Sequence, residues 1–364
     1  MHVEVVIPAY QPDERLPQYV TDLKAAGFTA ITVVDDGGGP AYAALFDALE
    51  REGCRVLRHE INRGKGAALK TAFRLLKAEP GLDAVVTADC DGQHTAEDVR
   101  LMVEGLEKAP DTLVLAQRRF DESTPKRSLA GNRVTSFALR ALYDIRLPDT
   151  QTGLRGIPAG MLAELAELRG DRYDYELNML MWAKRSAVEF TQVPIEALYF
   201  DNNAGSHYRT VADSLPILFR ILSGVLHYSF SAILSAVVDV LVYFVLVKLL
   251  FAAWPLGSRV LVAAVIARTA SSMVNYLFNR RLPTAQNRGI GGTIWKYYCL
   301  WAVQLVASIS GTTLLCEFAG MGEMLAKLLT DLILALASYQ VQLRWVFAKG
   351  KNRSKDKTKD EPAS

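Results

Sequence analysis

The chain has only four cysteines in 364 residues, Cys54, Cys90, Cys299 and Cys316, and they stand far apart without a CxxC pair. That spacing excludes a paired-thiol motif and leaves structural thiols facing a reducing, cytosolic side as the expectation. No cleavable signal pattern precedes the first strand-like run, and no internal repeat recurs. The N-terminal part has no basic surplus, because Met1 to Ser223 hold 26 basic against 32 acidic residues. A nucleic-acid binder needs a basic stripe on its folded domain, so nucleic acid is excluded as a partner. The phosphate loop GxxxxGK[ST] is missing as well.

What is present is apolar. Half of the residues are hydrophobic, 22% are charged and the mean hydropathy lies above zero. A mostly disordered chain is thereby ruled out, and contact with lipid is expected. The charge is uneven: Gly224 to Ala348 carry nine basic against four acidic residues, and Lys349 to Ser364 six against three. Two parts with different tasks follow.

In the first part short apolar runs alternate with amphipathic stretches. Strands are expected at Val3 to Pro8, Ile31 to Val34, Cys54 to Arg58, Ala84 to Ala88 and Thr112 to Ala116. Helices are expected at about Leu16 to Ala26, Tyr42 to Glu52, Lys65 to Lys77 and Ala96 to Lys108. That alternation implies βαβ units and a mainly parallel, Rossmann-like α/β sheet. Ligands of such sheets sit at the carboxyl ends of the strands, which here carry Pro8, Asp35, Asp36, Asp89 and Asp91.

The second part holds four apolar stretches near the length of a bilayer core, about Leu226 to Leu250, Val260 to Phe278, Tyr297 to Cys316 and Met324 to Val346. Arg280, Arg281, Arg288 and Lys296 lie in one connection and six Lys or Arg in the tail, whereas the other two connections hold one basic residue and none. The positive-inside rule places the N-terminal domain and the tail in the cytoplasm of a cell-membrane protein. Between the parts, residues 211–226 read as an amphipathic helix in the headgroup region, and Arg127 to Tyr143 as a second such helix. The expected division is 1–210, a catalytic domain; 211–226, the interfacial helix; 227–348, four transmembrane helices; and 349–364, a basic tail. Asp239, Arg268 and Asp331 within the spans are costly in lipid and are read as glue between helices, with a place near a lipid-phosphate path as the other reading.

Asp89 and Asp91 stand two apart where an apolar strand meets a Gly turn, so an extended backbone points both to one face. Two carboxylates suit a hard cation, magnesium or manganese, which neutralises charge on a departing diphosphate. His94 is read as structural or solvent-facing. Gly64-Lys65-Gly66 at a helix start joins N–H groups, a positive helix end and an ammonium, a combination suited to an anion.

IPAYQPDERL, VVDDGGGP, NRGKGAALKTAF, ADCDGQH and DTQTGLRG occur in this order, and together they resemble the family 2 glycosyltransferases of GT-A fold. The set resembles most the dolichyl-phosphate mannosyltransferases and bacterial polyprenyl-phosphate glycosyltransferases, over about Met1 to Leu222. RTASSMVNYLFNRR and YQVQLRWVF make the spans look like a GtrA-like domain. The resemblance implies a nucleotide-sugar site at Pro8, Tyr10 and Asp36, with Asp35 as the other member of the acidic pair. Asp13 or Glu14 would supply the acidic base contact where the family has Asn-Glu, and Lys65 would meet the diphosphate. It further implies that Asp89, Asp91 and Gln93 hold the metal and the sugar. Arg118, or alternatively Arg119 one position on, would meet the acceptor phosphate together with Arg133, and Arg209 would cover the diphosphate. Asp149 matches an acid proposed as a base in related enzymes, although a lipid phosphate is ionised near neutral pH and needs positioning more than deprotonation.

The implied activity is metal-dependent, inverting transfer of mannose or glucose from GDP-mannose or UDP-glucose to polyprenyl or dolichyl phosphate at the cytoplasmic membrane face. Two other readings stay open: a translocase in which the spans move the lipid-linked product, and a non-catalytic membrane scaffold.

Overall fold

A computed structural model describes residues 1–119, 126–196, 210–281 and 290–347. By its internal contacts the chain divides into two units, Met1–Leu222 and Ser223–Ser364.

The first unit is built on a seven-stranded sheet. Its strands are β1 (Val3–Ala9), β2 (Ile31–Asp35), β3 (Arg55–Arg58), β4 (Ala84–Thr87), β5 (Leu113–Arg119), β6 (Arg155–Pro158) and β7 (Phe190–Glu196). Their spatial order is β3-β2-β1-β4-β6-β5-β7, parallel throughout except for β6, which runs against both β4 and β5. The helices are α1 (Arg15–Ala25), α2 (Pro40–Arg51), α3 (Lys65–Leu76), α4 (Ala96–Lys108), α5 (Lys126–Tyr143), the single turn α6 (Leu162–Leu165) and α7 (Asp174–Ser186). The expected five strands and four helices lie within a few residues of those observed; β6 and β7 are additions.

Helices cover both faces, which explains the unbroken apolar runs. Val6, Val34, Val85 and Leu115 point into one core with Phe73, Leu139, Tyr143 and Leu180, while Val5, Val33, Val86 and Val114 point into the other with Leu16, Phe46, Val99 and Met102. Helix α4 starts on a reciprocal capping pair in which the Asp98 N–H donates to Thr95 Oγ1 (3.0 Å) and the Thr95 N–H to Asp98 Oδ2 (2.8 Å). This pins the far end of the loop carrying Asp89 and Asp91. Asn132 of α5 pins another loop: its Nδ2 donates to Pro148 O (2.7 Å) and its Oδ1 accepts the Thr150 N–H (3.0 Å).

Four long helices follow: α8 (Thr210–Val245), α9 (Leu256–Asn279), α10 (Ile290–Ala319) and α11 (Glu323–Val341). Short π-helical turns, Leu246–Leu250 and Gln342–Val346, extend α8 and α11. The interfacial segment expected at 211–226 is not separate, since α8 runs through it into the first apolar stretch. Gly224 does not end the helix, because its cost of about 1 kcal/mol is small against a helix of 36 residues that continues on both sides of it. Among the described residues, Ile221–Leu250 is long and apolar enough to cross a bilayer.

Within the second unit, neutral polar side chains join all four helices at one level. Ser231 of α8 donates to Asn279 Oδ1 (2.5 Å), and Asn279 Nδ2 donates to Gln342 Oε1 beyond α11 (3.0 Å) and to Asn275 Oδ1 (2.9 Å). Tyr297 of α10 donates to that same Asn275 oxygen (2.8 Å). Charged groups bridge helices elsewhere: Arg268 Nε lies 3.9 Å from Asp239 Oδ1, which also accepts the Ser271 hydroxyl of α9 (3.1 Å), and Ser308 donates to Asp331 Oδ1 (2.7 Å). These contacts agree with the reading of Asp239, Arg268 and Asp331 as links between helices.

Candidate active site

The carboxyl ends of β1, β2 and β4 open into a cleft of about 360 Å³, lined among others by Pro8, Tyr10, Asp36, Lys65, Asp89 and Asp91. Six residues singled out from the sequence therefore meet in one place, although they come from four separate stretches.

Asp89 and Asp91 bracket Cys90 directly after β4. Gly153 packs against the Asp89 carboxylate so closely that any Cβ there would collide with it. On the open side Lys65 Nζ stands 2.5 Å from Asp89 Oδ1 and 2.8 Å from Glu176 Oε1. Burial works against the Lys65 ammonium, but the two carboxylates outweigh it and hold its pKa above the ordinary lysine value. Burial likewise opposes the charge of Asp89, yet Lys65 and then His94 keep its carboxyl below the usual range. For Asp91, burial and the neighbouring Asp89 push the pKa up, eased by the Gln93 N–H that donates to Asp91 Oδ1 (3.1 Å). Burial, reinforced by the two aspartates, pushes the Cys90 thiol to about 12, so it stays protonated near neutral pH.

Asp91 is thus a carboxylate short of positive charge beside one that already holds a cationic side chain. This chemistry fits a divalent cation with oxygen ligands. Among the described residues no group of three or more His, Cys, Asp or Glu converges on a metal position. A pair of carboxylates suits magnesium or manganese, which complete their coordination with water and phosphate oxygens rather than with a protein cage.

Asp36 has a different task from its neighbours. Its Oδ1 accepts the Arg63 N–H (2.9 Å) and its Oδ2 the Gly64 N–H (2.7 Å). His59 Nδ1 donates to Oδ1 (2.7 Å), while His59 Nε2 takes the Thr71 hydroxyl of α3 (2.9 Å). Asp36 lines the cleft, yet its polar atoms shape the turn that presents Lys65. Gly64 in that turn has φ 100° and lies against the Asp171 carbonyl, a place only glycine fills. Asp35 accepts the Gly38 N–H (2.7 Å) and closes its own loop in the same way.

Arg118 and Asp149 form a bidentate pair, Nε to Oδ2 at 2.7 Å and Nη2 to Oδ1 at 3.0 Å, with the Asp149 side chain 0% and that of Arg118 14% exposed. Asp149 is therefore placed to orient Arg118, and it has no open face from which to take a proton. Arg133 is exposed on α5, beside Val134 and Phe137, which are 69% and 74% exposed. Glu14 is exposed at the start of α1, and Asp13 is clasped by Arg15. Gln93 enters through its main chain and does not line the cleft. His94 is buried and accepts the Asp89 N–H at Nδ1 (3.3 Å), as expected of a structural histidine. Arg209 lies outside the described residues.

Reading the sequence missed Arg172 and Tyr173, which line the cleft from the start of α7, together with Glu176 and His59. An Asp-Tyr-Glu helix start looks like ordinary first-turn acid, and only the packing of α7 on α3 shows where Glu176 points.

A three-layer α/β/α unit with a lysine and an aspartate pair at the strand ends, followed by a helical unit that includes a stretch long and apolar enough to cross a bilayer, fits a membrane-attached transferase. Comparison with known proteins narrows the class. Residues 4–165 match the model of glycosyl transferase family 2, and residues 227–347 that of the GtrA/DPMS transmembrane domain. The chain thus joins a family 2 glycosyltransferase domain to a GtrA/DPMS transmembrane domain. It is 28% identical over 240 residues to the UDP-N-acetylglucosamine–dolichyl-phosphate N-acetylglucosaminyltransferase of Methanococcus voltae, covering 60% of this chain and 94% of that protein. It is 27% identical to the undecaprenyl-phosphate mannosyltransferase of Micrococcus luteus, over 54% of this chain and 83% of that one. Among solved structures, glucosyl-3-phosphoglycerate synthase from Mycobacterium tuberculosis with Mn2+, UDP and phosphoglyceric acid is a loose likeness, with TM-score 0.46, 18% identity, and 61% and 78% of the two chains covered.

Proposed function

We propose that this glycosyltransferase moves one hexose unit from a nucleotide-sugar to a polyprenyl or dolichyl phosphate with inversion at the anomeric carbon. The observation that carries the reading is the meeting of Asp89, Asp91 and Lys65 at one end of the sheet. The lipid acceptor is supported by the names of the Methanococcus and Micrococcus relatives and by the transmembrane domain.

Asp89 and Asp91 would hold a magnesium or manganese ion, whose chemistry is to offset negative charge on the nucleoside diphosphate as it leaves. Lys65, kept protonated by its carboxylate partners, offers a second positive charge to the same diphosphate. Pro8, Tyr10, Asp36, Arg172 and Tyr173 form part of the remaining wall, against which the nucleotide would rest. Arg118, fixed by Asp149, presents a planar cation suited to phosphate oxygens. An acceptor phosphate oxygen bonds to C1 as the C1–O bond to the diphosphate breaks, so the sugar is never attached to the protein. The acceptor is already ionised, which agrees with the closed environment of Asp149. The asymmetry of basic residues in the connections supports a cytoplasmic catalytic domain at the cell membrane.

The test incubates purified protein with a panel of nucleotide-sugars, short polyprenyl phosphates and Mn2+, with mass spectrometry of the lipid fraction. A polyprenyl-phosphate sugar is expected from at least one donor; absence of any lipid product across the panel overturns the reading.

A further inference from the structure

Lys65 is a shared cation, and the chemistry above uses only one of its two partners. Glu176 belongs to α7, and its position is rigidly set. Gly66 of α3 packs on Tyr175 with no room for a Cβ, and the Ala67 N–H donates to Asp171 O (2.9 Å), so the starts of α3 and α7 are locked together. The Glu176 main-chain carbonyl accepts Arg155 Nη1 (2.7 Å), which ties the same turn to β6. Across the ammonium, the Asp89 carboxylate packs against Gly153, where any Cβ would collide with it. Lys65 therefore sits between two carboxylates carried by separately anchored stretches of chain.

This arrangement matters once Asp89 also engages a divalent cation. A lysine whose sole carboxylate was Asp89 would then be left beside a metal of like charge in a largely buried site, and the two cations would compete. A second, separately anchored carboxylate removes the competition.

We propose that Glu176 is a positioning residue that retains the Lys65 ammonium in the cleft while Asp89 engages a divalent cation, so that lysine and metal act together on the donor diphosphate. This rests on the metal-binding reading of Asp89 and Asp91. Glu176 touches neither donor nor metal, and its effect passes through Lys65.

The experiment titrates Mn2+ into the full-length protein in detergent without any donor and follows free Mn2+ by electron paramagnetic resonance. Glu176→Gln is expected to weaken Mn2+ binding about tenfold while Lys65 is present. In a Lys65→Met background, where no ammonium competes for Asp89, the same change is expected to cost distinctly less, no more than about threefold. Lys65→Met alone should bind Mn2+ at least as tightly as the unaltered chain. Glu176→Asp, which keeps the charge but shortens the reach, should lie between; it carries the comparison if Glu176→Gln fails to fold. Equal losses in both backgrounds would mean that Glu176 acts on the metal directly, and no loss in either would mean that it is not needed; each result overturns the inference but spares the metal reading. Failure of the unaltered chain to bind Mn2+ overturns both.

Discussion

The two units use polarity in opposite ways. The catalytic unit gathers charge at one end of its sheet, where Lys65, Asp89, Asp91 and Glu176 stand together and leave carboxylate character unmet at Asp91. The membrane unit, beside its Arg268–Asp239 and Ser308–Asp331 contacts, joins its helices at one level through amides and hydroxyls, Ser231, Asn275, Asn279, Tyr297 and Gln342, which satisfy one another without formal charge. Charge left wanting invites a ligand; neutral polarity that closes on itself holds helices together where water is scarce.

The sharpest way to break this contrast is to remove charge from the cleft. Asp89→Asn, nearly isosteric, should lower the transfer rate by on the order of a hundredfold or more while the thermal midpoint of the protein stays close to normal. If activity survives, the charged end of the sheet is not the reaction centre.

Next in size is the pair that is buried yet belongs to the same loop system. Asp149→Ala leaves Arg118 without its bidentate partner in a site where that side chain is only 14% exposed. A loss of about 3 kcal/mol is expected in denaturant unfolding of the catalytic unit. A large loss of activity without loss of stability would instead make Asp149 a participant in the chemistry.

In the membrane unit the effect should be smaller and should appear in stability alone. Asn279→Leu removes hydrogen bonds to Ser231, Asn275 and Gln342, and about 1–2 kcal/mol is expected from thermal unfolding in detergent. The turnover of folded enzyme should not change. Smallest is His59→Gln, which loosens the turn held by Asp36; the KM for the nucleotide-sugar is expected to rise by roughly threefold to tenfold with kcat little altered.

The sequence shows the parallel half of the sheet clearly, because strands buried on both faces become unbroken apolar runs such as Val5 to Ile7 and Ala84 to Val86. It hides β6, whose four residues Arg-Gly-Ile-Pro carry neither alternation nor an apolar run. It hides β7 as well, an edge strand that pairs only with β5 and can therefore hold Pro194 and exposed polar residues. The site divides along the same line. Asp36, Lys65, Asp89 and Asp91 follow directly on strand ends or open a helix, places that local pattern reveals. Arg172, Tyr173 and Glu176 arrive by packing of a distant helix, and Asp36 turns out to be occupied by a histidine that no motif singles out. The two stretches that carry the likeness of the membrane part, around Asn279 and Gln342, meet in one hydrogen bond of 3.0 Å. A shared pattern there has a packing reason.

The single reversed strand has a consequence of its own. β6 slots between β4 and β5, and the short link leading into it supplies both the glycine that presses on Asp89 and the aspartate that grips Arg118. Five successive residues, Asp149 to Gly153, thus act as a gauge block between Asp89 and Arg118, the two groups to which the proposed function assigns the donor side and the acceptor phosphate. Adding or deleting one residue in that block would misalign both ends of the reaction together, so natural variation in length should collect elsewhere in the chain.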